Sequence, residues 1–212
     1  MNLEALSKIQ NSIPDSVKLV AVSKTKPIED IHEAYHLGIR DFGENRVQEL
    51  VEKASVLPSD INWHAIGHIQ RNKVKLVTPI SHLIHSVDST RLYDSIVKCA
   101  DKRVDVLLQI HIAEEETKHG FTAKEVHEAI NIGLLINPQV RIKGLMGMAT
   151  FTDDKKRVAS EFRGLGRLFD ELQPFFGESF DVLSMGMSGD WRIAVDEGST
   201  LIRVGSSIFG SR

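Results

Sequence analysis

Eight short apolar runs, separated by amphipathic segments, are the feature of this sequence that most constrains its fold. The runs are rich in Val, Ile and Leu and mostly lack alternation with polar residues, which is typical of strands covered on both faces. They occupy residues 17–23, 39–44, 62–67, 82–87, 104–112, 141–149, 181–187 and 199–208. Because strands and helices alternate along the chain, we expect parallel pairing through right-handed crossovers.

The segments between these runs have helical spacing and helical end signals. Ile28, Ile31 and Ala34 share one helix face, and Thr122 with Glu125 forms a capping-box pattern ahead of an apolar stripe. Eight strands, of which the first seven are each followed by a helix, close most simply as a (β/α)8 barrel of the TIM type. A doubly wound open sheet is the alternative. Since the chain has no linker or low-complexity tract, the sequence predicts one domain over residues 1–212.

Composition excludes several classes of protein. The formal net charge of −3 gives no field that would attract nucleic acid or an anionic membrane. Cys99 is the only cysteine in the sequence, which excludes a disulfide framework and a thiolate metal site. The first residues, MNLEALSKIQNSI, lack the apolar core of a secretory signal, and no segment approaches the length of a membrane span. We therefore expect a cytoplasmic protein without nucleic-acid or membrane partners.

A lysine directly after the first strand is the most informative polar residue. The active face of such a barrel is the set of loops that follow the strands. Lys24 and Lys26 share the strand face of Val20 and Val22, but Lys26 precedes Pro27, which favours an extended position outside the barrel. Lys24 lies deeper, where a desolvated amine becomes nucleophilic. The alternative is a lysine that reaches solvent at a strand end.

Two turns rich in small residues follow strands seven and eight. SMGMSGDW places Gly186, Ser188 and Gly189 where a helix begins, and Ser188 is positioned to cap that helix. VGSSIFG supplies the second turn, with Gly205 and Ser206. The loops after these two strands often form the phosphate site of a barrel, since backbone N–H groups reach an anion where side chains are absent. Ordinary glycine-rich turns are the alternative.

An arginine lies inside the apolar run LIRVG of the eighth strand. The guanidinium of Arg203 needs a hydrogen-bond acceptor there. A carboxylate of the fold would serve, and so would a ring nitrogen or phosphate of a ligand.

These segments together resemble a known family. AVSKTKP, FGENRVQE, WHAIGHIQRNK, GLMGM, LSMGMSGDW and STLIRVGSSIFG, in this order, resemble the YggS/PROSC family of pyridoxal 5′-phosphate (PLP) homeostasis proteins, over about Val17 to Gly210. The family has the barrel of the alanine racemase N-terminal domain without the second β domain of that enzyme. The resemblance implies eight cofactor-binding residues: Lys24, Asn45, His64, Met185, Ser188, Arg203, Gly205 and Ser206.

The resemblance also implies a role for most of these residues. Lys24 would carry PLP as a Schiff base, and Arg203 would face the pyridine nitrogen. Ser188, with Gly205 and Ser206, would hold the phosphate. Of the other three residues, the asparagine would lie near the ring, and the histidine and the methionine would line the pocket. No catalytic residue and no metal ligand is assigned.

The residues favour binding of PLP over turnover. An arginine beside the ring nitrogen disfavours its protonation and so weakens the electron sink of the cofactor. A two-base racemase needs a proton donor on each face of the cofactor, and both tyrosines, Tyr35 and Tyr93, fall on predicted helices outside the barrel. We therefore expect a PLP carrier or regulator, monomeric as its family often is. Delivery of PLP to PLP-dependent apo-enzymes is left open, and a weak amino-acid racemase or an aldolase-type Schiff-base enzyme is the alternative.

Overall fold

Eight parallel strands form a closed barrel in the computed structural model, which describes residues 1–115 and 119–210. Each strand pairs with the next along the chain, and β8 pairs with β1. The strands are β1 (Lys18–Val22), β2 (Asp41–Glu44), β3 (Asn62–Ala65), β4 (Leu83–Val87), β5 (Val104–Ile110), β6 (Val140–Gly147), β7 (Val182–Ser184) and β8 (Leu201–Val204). The predicted (β/α)8 barrel is therefore confirmed, and the alternative of an open sheet is wrong.

Helices surround the barrel. They are α1 (Leu3–Gln10), α2 (Ile28–His36), α3 (Val47–Val56), α4 (Val74–Val77), α5 (Thr90–Cys99), α6 (Ala123–Asn131), α7 (Lys155–Phe176), α8 (Trp191–Asp196) and α9 (Ser206–Phe209). The predicted capping box of Thr122 and Glu125 opens α6. Helix α1 was not predicted; it packs beside α9 and buries Leu6 and Ile9. No helix in the described ranges is long and apolar enough to cross a membrane.

The core has two parts. The larger part lies between the strands and the surrounding helices, as expected when both faces of a parallel sheet are covered. The smaller part fills the barrel itself with Val20, Leu83, Leu107, Met146 and Leu201. Alternate residues of each strand point inward, and some of these inward side chains are polar and buried.

The last two strands are shorter than the sequence predicts, so the residues that follow them form turns and short helices instead of strand. The run 181–187 contains only Val182–Ser184 as strand, since Gly186 adopts a φ of +95° that ends regular pairing. The run 199–208 ends as strand at Val204 and continues as α9. The predicted cap at Ser188 is also wrong, because α8 begins after Asp190 and leaves Ser188 in the preceding turn.

Candidate functional site

A cavity of about 700 Å³ opens at the carboxyl ends of the strands. It lies where a barrel of this type places its functional loops. It brings together six of the eight residues that the resemblance singled out. These are Lys24, Asn45, Ser188, Arg203, Gly205 and Ser206.

Lys24 lies in the wall of this cavity, directly after β1. It is half-buried, and Val22 from the same strand face lines the cavity beneath it. Lys26 Nζ instead donates a hydrogen bond to the carbonyl oxygen of Phe209, at 2.8 Å. The amine of Lys24 is therefore placed at the cavity, and the amine of Lys26 on a neighbouring backbone.

The turn that presents Lys24 has an unusual backbone. Thr25 has a φ of 63°, in the left-handed region that costs a residue with a Cβ about 1–2 kcal/mol. Its N–H donates to Glu49 Oε2 at 2.6 Å, and the N–H of Lys26 donates to the carbonyl of Ser23 at 3.0 Å. These two hydrogen bonds hold the turn, and with it the direction of the lysine side chain.

A buried ionic cluster supports this turn from outside the barrel. The Ser23 hydroxyl donates to Glu44 Oε1 at 2.6 Å. Lys53 Nζ donates to the same carboxylate oxygen at 2.7 Å and to the Ser23 carbonyl at 2.8 Å. Burial raises the pKa of Glu44, although the bonds from Lys53 and Ser23 oppose that rise. Sequence reasoning missed this cluster. It could have been found from Glu44 at the end of an apolar run and from Lys53 on the apolar face of α3.

The turns after β7 and β8 form a small cradle at the opposite wall. Ser188 Oγ accepts hydrogen bonds from the N–H groups of Gly205, at 3.3 Å, and of Ser207, at 3.4 Å. A Cβ at Gly205 would lie 3.0 Å from the carbonyl oxygen of Val22 and 3.1 Å from its Cβ, so only glycine fits without a shift. Hydroxyl and backbone N–H groups therefore converge here, and this donor set suits a phosphate.

Arg203 forms the floor of the cavity. Its side chain is buried, with Nη1 donating to the carbonyl (2.9 Å) and hydroxyl oxygens of Ser184 and Nη2 donating to the carbonyl of Gly147 (3.1 Å). Burial lowers the pKa of Arg203 to about 10, an effect that Asp190 partly offsets. The guanidinium is still protonated at neutral pH. The oxygens of Ser184 and Gly147 that accept its hydrogen bonds are neutral, and Asp190 is the carboxylate that acts on its charge.

Two predicted residues lie elsewhere in the structure. His64 lies inside the barrel nearer the amino ends of the strands, where it lines a second cavity of about 220 Å³ with Lys18 and His82. Met185 is fully buried between the barrel and its helices, because Ser184 points inward and the next residue must point outward. Neither side chain is among the described residues that line the upper cavity.

The cavity also contains groups to which the sequence gave little weight. His68 follows β3, and its Nδ1 lies 2.9 Å from Asp88 Oδ2. The ring of His119 stacks on that of His68 with centroids 4.8 Å apart. Both histidines line the cavity, and the described lining contains no tyrosine. In the sequence, only their positions in loops that follow strands pointed to these histidines.

Barrel and site together define a protein of the alanine racemase N-terminal domain class, and the profile of that family matches residues 3–212. A relative from Aquifex aeolicus, named pyridoxal phosphate homeostasis protein, is 41% identical over 92% of this chain and 87% of its own. A human relative of the same name is 40% identical over 92% and 76%. The chain belongs to the family of these pyridoxal phosphate homeostasis proteins.

Solved structures agree with this assignment. PipY of Synechococcus elongatus without PLP superposes with a TM-score of 0.91 at 36% identity, covering 98% of this chain and 99% of that one. PipY with PLP bound superposes with a TM-score of 0.87 over the same shares of the two chains, also at 36% identity. Alanine racemase from E. faecalis gives a TM-score of 0.74 at 16% identity, covers 99% of this chain and 57% of that one, and shares the fold.

Proposed function

We propose that this protein binds PLP through a reversible Schiff base on Lys24 and serves in PLP homeostasis, with little or no catalytic turnover. One observation carries the proposal. Lys24 and the cradle of Ser188, Gly205 and Ser206 form walls of the same cavity, and Arg203 lies at its floor. An amine, an anion cradle and a partner for the ring nitrogen are the three groups that suit an aldehyde cofactor with a phosphate tail.

Each group has a separate task. The Lys24 amine would supply the nucleophile for the cofactor aldehyde, with water as the group lost, and water would reverse the reaction. The cradle binds the phosphate and so holds the aldehyde near the lysine. When bound, PLP would supply an electron sink, but an arginine that is charged at neutral pH and faces the ring nitrogen, as the resemblance implies, would disfavour the protonated ring on which that sink depends. The site therefore suits storage of a masked aldehyde.

The relatives support the same reading. Those from Aquifex aeolicus and from human are named pyridoxal phosphate homeostasis proteins, and PipY has a structure with PLP bound. Delivery of PLP to apo-enzymes and a monomeric state are further parts of the proposal. Phe151, which lines the cavity, is 99% exposed, so one side of the cavity lies open to a partner or to solvent.

The visible absorption spectrum tests the lysine assignment. Purified protein mixed with PLP should show the Schiff-base band, which should vanish on reduction with borohydride as the linkage becomes permanent. Lys24→Ala should lose the band, and Lys26→Ala, the matched control, should keep it. A band that persists in Lys24→Ala, or that is lost only in Lys26→Ala, would contradict the proposal.

A weak amino-acid racemase remains the second candidate, and one observation favours it. The pair of His68 and Asp88 supplies a proton acceptor at the cavity, where sequence reasoning expected none. Incubation of the PLP-loaded protein with D-alanine and L-alanine tests it by chiral chromatography. We expect no interconversion above that of free PLP. Rapid racemisation that His68→Ala abolishes would replace the carrier function by the enzymatic one.

A further inference from the structure

A continuous chain of hydrogen-bonded side chains runs through the inside of the barrel. Asp41 Oδ1 lies 3.0 Å from His64 Nε2, and His64 Nδ1 lies 2.9 Å from His85 Nε2. His85 Nδ1 lies 3.1 Å from Ser184 Oγ, which accepts from Arg203 Nη1. The chain thus connects the lower cavity, which His64 lines, with the upper cavity, which Arg203 lines.

The burial of this chain argues that it has a task beyond the fold. The side chains of His64, His85, Ser184 and Arg203 are at most 4% exposed. Barrels of this type normally fill these positions with branched apolar residues, which pack without any polar cost. Each buried polar group loses its hydration and regains only part of that free energy from its new partner. Apolar residues would serve stability alone at least as well.

The two ends of the chain fix the direction of every hydrogen bond within it. An ionised Asp41 can only accept, so His64 must donate from Nε2, and in its neutral form it must accept at Nδ1. His85 must then donate from Nε2 and accept at Nδ1. From the other end, Arg203 can only donate, so Ser184 Oγ accepts from it and donates its own proton to His85 Nδ1. Both ends require the same arrangement.

We propose that His64 and His85 are positioning residues that orient the Ser184 hydroxyl toward Arg203 and so fix the guanidinium at the floor of the cofactor cavity. The inference rests on the proposed function, because it concerns how the cofactor ring is held. With its proton engaged by His85, Ser184 presents only lone pairs to Arg203. The carbonyl of Gly147 accepts from the other nitrogen of the guanidinium, so both of its terminal nitrogens are held at the floor of the cavity.

The surroundings keep both imidazoles neutral, as this arrangement requires. Burial lowers the pKa of His64, and Asp41 only partly opposes it, while His82 and Lys18 lower it further. The pKa of His85 lies well below its usual value through burial and through electrostatic interaction with His64, Arg203 and His82. A proton added to either ring would place a donor against a donor along the chain.

Nuclear magnetic resonance on the protein without PLP tests the arrangement directly. Long-range proton–nitrogen spectra report which ring nitrogen of each histidine carries hydrogen. At neutral pH we expect His64 and His85 both as neutral tautomers with hydrogen on Nε2 alone. Hydrogen on Nδ1 of His85, or a charged imidazole at either position, would overturn the proposal.

Binding measurements test the consequence for the ligand. His85→Leu removes the acceptor for Ser184 and keeps most of the volume, and we expect the Kd for PLP to rise about tenfold. The Kd for inorganic phosphate should not change, since the phosphate cradle does not use Arg203. His85→Asn should restore PLP binding to within about threefold, because its amide oxygen lies near the place of Nδ1. His82→Leu alters a neighbouring imidazole outside the chain and is the matched control.

The outcomes separate this inference from the proposed function. If the wild-type protein does not bind PLP, the proposed function fails, and the tautomers still decide the hydrogen-bond arrangement. If the wild-type protein binds and His85→Leu binds equally well, the positioning role is wrong. An equal rise in the Kd for PLP and in the Kd for phosphate would indicate general damage to the cavity and would also count against the positioning role. Should His85→Leu not fold, Ser184→Ala removes the hydroxyl that accepts from Arg203 and should give the same selective loss.

Discussion

At the scale of single residues, the backbone of Thr25 stands out because a β-branched residue occupies the left-handed region. Its side chain is exposed and its contribution to the turn is a backbone N–H that donates to Glu49. Nothing in those contacts requires a side chain at this position. The strain therefore belongs to the turn that presents Lys24 and is offset by the hydrogen bonds around it.

Thr25→Gly should stabilise the protein, because glycine adopts a φ of 63° without steric cost. Relief of about 1–2 kcal/mol is partly offset by the greater freedom of glycine in the unfolded chain, so we expect a net gain of about 0.5–1 kcal/mol. Urea unfolding measures it. Thr25→Ala keeps the strain and should change the free energy of unfolding by about 0.5 kcal/mol or less. A loss of stability in Thr25→Gly would show that the threonine side chain contributes to the fold.

At the scale of elements, the pattern of apolar runs predicted all eight strands and their order. Parallel strands covered on both faces produce that pattern wherever they occur, so the barrel could be read from the sequence. The ends of the strands could not, because the chain leaves the sheet at Gly186 and Gly205 through backbone angles that apolar patterning does not encode. The resemblance placed Met185 at the pocket, and in the structure its side chain is buried between the barrel and its helices.

The candidate site, like the strands, could be predicted from the sequence only in part. Lys24 and the two small-residue turns follow strand ends, so their meeting at one end of the barrel follows from the topology alone. The depth of a side chain along the barrel depends on strand stagger, which one sequence does not reveal. The resemblance placed His64 at the cofactor cavity, and in the structure His64 lies on the inner face nearer the other end.

Helix α3 supports β1 through Lys53, and a double-mutant cycle tests this contact. Lys53→Met would leave the buried Glu44 carboxylate without its cation, which should cost about 3–5 kcal/mol of unfolding free energy at pH 7. Glu44→Gln with Lys53→Met should recover part of that loss, because the uncompensated charge is gone. Chemical denaturation of the wild type, both single variants and the double variant gives the coupling. Additive losses would contradict an interaction between these two side chains.

The pH dependence of Lys53→Met provides an independent check. Burial raises the pKa of Glu44 above its value in the unfolded chain, and loss of Lys53 should raise it further. The folded protein then binds more protons than the unfolded chain at pH values above about 4.5. The free energy of unfolding of this variant should therefore increase, relative to wild type, as the pH falls from about 7 to about 5. The opposite slope would mean that Glu44 is not buried as a carboxylate.

At the scale of the whole molecule, the barrel contains a polar axis in place of a continuous apolar core. In the described part of the chain, five buried residues form the apolar cluster inside the barrel, and the line from Asp41 to Arg203 passes through the same interior. The hydrogen bonds of this axis connect the site at one end with side chains near the other. Because the histidines of this axis are buried in neutral form, their protonation should affect the stability of the whole protein.

Acid should destabilise the folded protein through these histidines. Both have a pKa below about 6.5, the value in the unfolded chain, so below that pH the unfolded chain binds more protons. The free energy of unfolding should then fall with pH by up to about 1.4 kcal/mol per pH unit for each histidine. Glu44 contributes with the opposite sign, so the informative quantity is the difference between wild type and His85→Leu, measured by urea unfolding from about pH 7 to about pH 5. The free energy of unfolding of wild type minus that of the variant should decrease as the pH falls, because the variant has lost one group that resists protonation. A difference independent of pH would show that His85 takes up its proton as readily in the folded protein as in the unfolded chain.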